Sequence, residues 1–183
     1  MFMQRFSHKF YLKTNSSYTW CNMDKIKRIL LLCLGNTARS PAAEYLARYY
    51  ANKKGVNLSI ESAGFINAFS YMQPESQEYL NAKGINHSDF RPQIVNRKLL
   101  EKQDLIITME RLHALEIKDN YPGVVDIDKK TFTLREFNGD KEELDIIDPY
   151  YTSTNTYKKV LRIIDENIEK MINKIIQINQ SKS

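Results

Sequence analysis

The chain has 183 residues, a net charge of +5, ordinary fractions of apolar and charged residues, and two cysteines. Its length suits one domain with a sizeable core, and because no apolar run reaches about 18 residues we expect no transmembrane helix. The two cysteines, Cys21 and Cys33, exclude a disulfide-rich fold and favour a reduced, cytoplasmic setting. No basic stripe interleaved with aromatic residues is present, so we expect neither nucleic acid nor membrane as a partner.

The first 23 residues differ in composition from the rest of the chain. They contain Arg5, Lys9 and Lys13 and no acidic residue, so they carry +3 of the net charge. They show no helical or alternating periodicity and lack the apolar core of a secretory signal. We interpret residues 1–23 as a disordered or non-native N-terminal extension, with Met23 as an alternative start of translation.

The next stretch predicts a strand, a tight loop and a helix. Residues 26–32 predict a buried parallel strand, and its apolar run at 29–32 leads directly into Cys33. Ser40 is a plausible N-cap and Pro41 suits the first position of a helix. In such a loop, backbone N–H groups converge at the positive end of the helix dipole and form an anion site. This environment favours the thiolate of a cysteine, which is the nucleophilic form, and Arg39 can bind two phosphate oxygens at once.

Two interpretations of this cysteine follow. A lone cysteine at the end of a strand is most often a buried core residue. A cysteine followed five residues later by Arg-Ser-Pro is far more specific. We therefore expect the loop both to bind a phosphoryl group and to attack it.

The remaining chain alternates between predicted strands and helices. Strands are predicted at 56–62, at 104–109 and within 130–134, and helices from Pro41 to Gly55 and at 74–83, 96–102, 110–119 and 152–178. We expect residues 179–183 to be a frayed tail. The alternation predicts a single α/β domain over residues 24–178 with a parallel sheet, whose ligand site lies beyond the carboxyl ends of the strands.

An apolar loop is predicted at residues 65–73. It carries Phe65, Phe69, Tyr71 and Met72. These side chains could fill the core, or they could form the rim of a pocket for a flat substrate group. The sequence leaves both interpretations open.

The segment after the fourth strand offers a proton donor for the leaving oxygen of a phosphoryl transfer. Asp148 is the candidate, because the proline after it would stiffen the loop and Tyr150 and Tyr151 would flank a flat leaving group. Asp140 and Asp145 compete for the role, but neither is followed by a proline and aromatic residues. By its position after a strand, Asp148 should lie within reach of Cys33.

Four motifs occur in order along the chain: CLGNTARSPAAE at 33–44, ESAG at 61–64, DLIITME at 104–110 and DPYY at 148–151. Together they resemble the low-molecular-weight protein tyrosine phosphatases over about residues 25–172. The resemblance implies the flavodoxin-like phosphatase I fold, a single three-layer α/β domain with a four-stranded parallel sheet. It also implies a cytoplasmic monomer or weak dimer that acts on phosphorylated protein substrates without a cofactor.

The resemblance implies a two-step hydrolysis. Cys33 would attack phosphorus and form a cysteinyl-phosphate, while Asp148 would protonate the leaving group and then act as base toward water. No metal is needed, and the three histidines, His8, His87 and His113, are too widely spaced to predict a metal site.

The same resemblance assigns the loop residues. The phosphoryl oxygens would be stabilised by Arg39 and by the loop. The remaining loop residues implied in phosphate binding are Leu34, Gly35, Asn36, Thr37, Ala38 and Ser40. The Ser40 hydroxyl would bond to the Cys33 sulfur, and Asn36 and Ser62 would hold the loop in shape.

Two departures from the family pattern affect the expected function. Many members carry a second cysteine where this chain has Ala38, so Cys33 should lack a protective disulfide partner and over-oxidise more readily. The position of Thr37 is often isoleucine, and a threonine there resembles the protein-arginine phosphatase branch. Because Tyr150 and Tyr151 favour a flat aromatic group, we rank phosphotyrosine first and phosphoarginine second.

Two other functions rank lower. Arsenate reduction on this fold would need further cysteines to pass a disulfide along, and none follows Cys33. A non-enzymatic phosphate-binding module would not require Cys33, Arg39 and Asp148 together.

Overall fold

The computed structural model describes residues 24–182, and the prediction for residues 1–23 lies outside that range. The strands are β1 Arg28–Cys33, β2 Ser59–Gly64, β3 Leu105–Thr108 and β4 Thr131–Thr133. The helices are α1 Arg39–Lys53, α2 Pro74–Ala82, α3 Arg97–Glu101, α4 Arg111–Asn120, α5 Ile127–Lys130, α6 Leu134–Asn138 and α7 Thr154–Gln180. Within residues 24–182, no helix is long and apolar enough to cross a membrane.

The four strands form one parallel sheet in the order β2-β1-β3-β4, which confirms the predicted α/β fold. Side chains alternate between its faces, as the period of two in a strand requires. Ile29 and Leu31 of β1 pack into the larger core with α1 and α7. Leu30 and Leu32 pack into a second core with α3, α4 and α5. Helices therefore cover both faces, which gives the predicted three layers.

Several element boundaries differ from the predictions. β2 starts at Ser59 and not at 56, because parallel pairing with β1 begins only at the Arg28–Ser59 pair. The short helices α5 and α6 were not predicted. α6 begins with a capping box in which Thr133 Oγ1 accepts from the Glu136 backbone N–H, while the Glu136 carboxylate accepts from the Thr133 N–H.

The C-terminal helix extends past the boundary predicted at 178. α7 ends at Gln180, within the stretch 179–183 that we expected to fray. The Asn179 side chain accepts from the Ile26 backbone N–H at 2.8 Å and donates to the Ile26 carbonyl at 2.7 Å. These two hydrogen bonds join the end of α7 to the chain just before β1.

Truncating a buried side chain of α7 should destabilise the domain strongly. Ile168 is fully buried in the larger core, so Ile168→Ala should lower the free energy of unfolding by about 2–5 kcal/mol. Ile163 on the same helix is 39% exposed, and Ile163→Ala should cost about 0.5 kcal/mol or less. Urea unfolding followed by circular dichroism measures both, and equal losses would contradict the packing described.

Candidate active site

The loop between β1 and α1 is folded tightly against its neighbours. Two backbone N–H groups, of Phe65 and Ile66, donate to the Leu34 carbonyl at 2.8 and 3.1 Å. A Cβ on Gly64 would lie 2.7 Å from the Asn36 backbone nitrogen, so only glycine lets β2 end against the loop. Asn36 itself has a φ of +50°, a conformation that asparagine tolerates better than most residues.

A chain of hydrogen bonds runs from a buried carboxylate to the Cys33 sulfur. Ser62 Oγ donates to Glu44 Oε2 at 2.5 Å. Asn36 Nδ2 donates to Ser62 Oγ at 2.8 Å and to Ser40 Oγ at 3.0 Å. Ser40 Oγ lies 3.0 Å from Cys33 Sγ. Because Ser40 Oγ already accepts from Asn36, its own proton can point to the sulfur.

These hydrogen bonds explain why the N-terminus of α1 differs from the prediction. Ser40 is not the N-cap: the helix begins at Arg39, and Ala38 flanks it without a side-chain cap. The Ser40 hydroxyl is instead directed to Cys33 and Asn36. The N-terminus of α1 thus faces the loop, where its dipole favours an anion.

Further contacts fix the ends of the hydrogen-bond chain. The Gln93 backbone N–H donates to Asn36 Oδ1 at 3.0 Å, which sets the orientation of that amide. Glu44 Oε1 lies 2.5 Å from Arg48 Nη2. Burial raises the pKa of the Glu44 carboxyl above its ordinary value, although the Ser62 hydrogen bond and Arg48 act in the opposite direction.

Arg39 occupies the centre of the site and is only 1% exposed. Its Nη1 donates to Glu110 Oε1 at 2.5 Å and to the Ile146 carbonyl at 2.8 Å, and its Nη2 pairs with Asp148 Oδ2. Burial alone would lower the pKa of the guanidinium, but the charges of Cys33, Asp148 and Glu110 raise it above its ordinary value. Among residues 24–182, Arg39 Nε is buried with no hydrogen-bond partner, so this donor remains for an anion in the loop.

Backbone hydrogen bonds before and after Asp148 fix the segment that carries it. The Ile146 N–H donates to the Met109 carbonyl at 2.7 Å, and the Arg111 N–H donates to Asp145 Oδ1 at 2.6 Å. The Tyr150 N–H donates to Asp148 Oδ1 at 2.9 Å. The Asp148 side chain is 40% exposed, so solvent or a leaving group can reach it.

An aromatic rim stands beside Asp148. Phe69 packs against Tyr71 and Tyr150, with ring centroids 5.6 and 5.7 Å apart. Tyr151 packs against Tyr150 at 4.2 Å and is itself 95% exposed. Of the apolar residues in the 65–73 loop, Phe69 and Tyr71 therefore contribute to the rim, whereas Met72 fills the core. Phe65 packs against the second core.

The structure brings the predicted residues together around the loop, with Cys33, Thr37, Ala38, Arg39 and Ser40 buried. Leu34 is exposed. Sequence reasoning did not assign Glu110, which pairs with Arg39, or Glu44, which ends the hydrogen-bond chain. Both glutamates lie within the motifs at 104–110 and 33–44, but a motif does not indicate which side chain meets which. Within residues 24–182, no group of three or more His, Cys, Asp and Glu residues is arranged to hold a metal ion.

Comparison with known proteins gives consistent matches. Residues 28–182 match the family described as "Low molecular weight phosphotyrosine protein phosphatase". The probable low molecular weight protein-tyrosine-phosphatase EpsP of Ralstonia nicotianae is 29% identical over 150 residues, covering 82% of this chain and 97% of that protein. The protein-arginine-phosphatase of Bacillus subtilis is 31% identical over 146 residues, covering 78% of this chain and 93% of that protein.

Solved structures agree with these matches. A low molecular weight protein tyrosine phosphatase from T. tengcongensis superposes with a TM-score of 0.73 at 32% identity, covering 81% of this chain and 99% of that one.

Proposed function

The chain belongs to the low molecular weight phosphotyrosine protein phosphatase family, and we propose that it hydrolyses phosphotyrosine in proteins through a cysteinyl-phosphate. In this proposal Cys33 is the nucleophile, Arg39 binds the phosphoryl oxygens and Asp148 is the general acid. The observation that supports this proposal best is that Arg39 Nη2 pairs with Asp148 and so links the Cys33 loop to the acid.

The first step places a phosphoryl group in the loop at the N-terminus of α1. There the Cys33 sulfur forms a bond to phosphorus as the bond to the tyrosine oxygen breaks, and Asp148 gives that oxygen its proton. Ser40 supports the step because its hydroxyl stabilises negative charge on the sulfur when Cys33 is free and when it later departs.

The Arg39 contacts suit the binding of a dianion. Arg39 Nε has no partner among the described residues and Nη2 pairs with Asp148, so these two donors can form a fork on two phosphate oxygens. A phosphoryl group that takes Nη2 would release Asp148 from Arg39. The freed carboxyl could then turn to the leaving oxygen, while Glu110 and the Ile146 carbonyl still hold Nη1.

The aromatic rim supports tyrosine as the phosphorylated side chain. Phe69 and Tyr150 pack against each other next to Asp148, where the ring of a phosphotyrosine would pack against their outward-facing surface. A long, flexible phosphorylated side chain would use less of this surface. We therefore place phosphotyrosine first.

Phosphoarginine is the second candidate, and Thr37 is the observation that favours it. Thr37 is buried in the loop where its smaller, polar side chain would leave room for a guanidinium group. The B. subtilis relative that is 31% identical to this chain is a protein-arginine-phosphatase. A competition between phosphotyrosine and phosphoarginine peptides with the purified protein, with and without residues 1–22, separates the two substrates.

Enlarging Thr37 should separate the two activities further. Thr37→Ile replaces the hydroxyl with a larger, apolar ethyl group, so any turnover of phosphoarginine should be abolished while kcat/KM for phosphotyrosine changes by about threefold or less. Thr37→Ser, which keeps the hydroxyl and the small size, serves as the control. If the wild-type protein never hydrolyses phosphoarginine, the second candidate is wrong. If it hydrolyses only phosphoarginine, the first is wrong.

A further inference from the structure

His113 is a buried histidine that the proposed mechanism leaves without a role. It lies in the first turn of α4 and is 4% exposed. Its ring stacks on Phe65, with centroids 5.0 Å apart and planes 21° apart. The Phe65 N–H in turn donates to the Leu34 carbonyl in the phosphate loop. A single residue, Phe65, therefore connects the imidazole to the phosphate loop.

The polar edge of this ring points at the carboxylate that holds Arg39. His113 Nδ1 is buried, and no described residue forms a hydrogen bond with it. It lies 3.8 Å from Glu110 Oε1, the same oxygen that accepts from Arg39 Nη1. At that distance the contact is electrostatic, because it is too long for a hydrogen bond. An apolar side chain would fill this position in the core without leaving a polar atom unpaired.

We propose that His113 is a positioning residue that acts through Glu110 to hold Arg39 ready for the phosphoryl group. It stacks on Phe65 and confines the Glu110 carboxylate to the side facing Arg39. This role of His113 depends on the proposed function in one respect, namely that Arg39 binds phosphate.

The charges around the imidazole couple it to an anion in the loop. Burial lowers the pKa of His113 below its ordinary value, the negative charge of Glu110 acts in the opposite direction, and the positive charge of Arg39 lowers it further. The other charged groups that interact with it are Glu116, Asp148 and Asp145. The imidazole is thus neutral at pH 7. A phosphate dianion beside Arg39 adds negative charge and should raise the pKa of His113, and by linkage phosphate should bind more tightly as His113 gains its proton.

Nuclear magnetic resonance of the histidine rings in the full chain tests this coupling with inorganic phosphate as the probe. We expect the His113 titration midpoint to move to higher pH when phosphate is added, while the signals of the half-buried His87 do not respond. In Glu110→Gln the midpoint of the free protein should move to lower pH, because the carboxylate that favours the proton is gone. A His113 midpoint that responds to neither change would overturn the proposal.

Steady-state kinetics gives the second readout. His113→Phe keeps the ring stack and removes Nδ1, so kcat/KM should fall by about tenfold. His113→Asn restores a polar group near Glu110 and should recover part of the loss, and His87→Phe should have no effect. Unchanged kcat/KM in a folded His113→Phe protein would also overturn the proposal. The phosphate titration needs no turnover, so a failure of the proposed function remains distinguishable from a failure of this inference.

Discussion

Cys33→Ser should abolish hydrolysis of phosphorylated protein substrates, with a loss of about 10⁴-fold or more in kcat. The replacement keeps the size and the buried position at the end of β1, but a serine hydroxyl stays protonated where a thiolate would attack. Among the described residues, Ser40 Oγ offers the nucleophile a hydrogen bond, but a serine hydroxyl is not a base that could take up its proton.

Initial rates on a phosphotyrosine peptide, together with a thermal melt, measure this effect. Cys21→Ser is the matched control, because it changes the chain's other cysteine and should leave the rate unchanged. Cys33→Ser should still bind inorganic phosphate, since Arg39 and the loop are retained. Full activity in Cys33→Ser would exclude Cys33 as the nucleophile.

Asp148→Asn should lower kcat on phosphotyrosine by about 10²–10⁴-fold. The asparagine can still accept a hydrogen bond from Arg39 or from the Tyr150 N–H, so the loop should keep its conformation. It cannot donate a carboxyl proton to the leaving oxygen. The loss should therefore be much smaller on p-nitrophenyl phosphate, whose leaving group needs little protonation.

Parallel assays on the two substrates check the role of the acid. Asp140→Asn is the control, because Asp140 pairs with Arg135 away from the loop and should not affect either rate. Equal losses on both substrates would indicate that Asp148 positions Arg39 without acting as an acid.

The sequence was sufficient for the fold because the fold depends on local patterns, whereas the roles of the site residues stay predictions. The apolar run before Cys33 and the alternation of strands and helices predict the parallel sheet, and the loop motif places Cys33 beside Arg39. The sequence also predicted Asp148 from its proline and tyrosines.

Features that depend on distant residues were not predictable. Glu110 and Arg39 are 71 positions apart, and their pairing depends on how β3 lies beside β1. Ser40 fits the pattern of a helix N-cap, yet tertiary contacts direct its hydroxyl to Cys33.

The length of an element sets a second limit. α5 spans only Ile127–Lys130, which is too short to show a helical period.

The position of β2 shows a third limit. The alternation of Val56, Leu58 and Ile60 predicted a strand from 56, and Val56 and Leu58 do pack against the larger core. Burial pattern alone does not fix where pairing starts, because the parallel register begins at Ser59. Residues with an apolar face can therefore precede a strand without belonging to it.

The most direct test of the proposed mechanism is mass spectrometry of the protein quenched in acid while it turns over a phosphotyrosine peptide. The proposal predicts a phosphoryl group on the peptide that contains Cys33, and no such species in Cys33→Ser. It also predicts that the species persists longer in Asp148→Asn, because no base activates the water. Rapid turnover by the wild-type protein with no phosphorylated Cys33 at any quench time, or with the phosphoryl group on another residue, would contradict it.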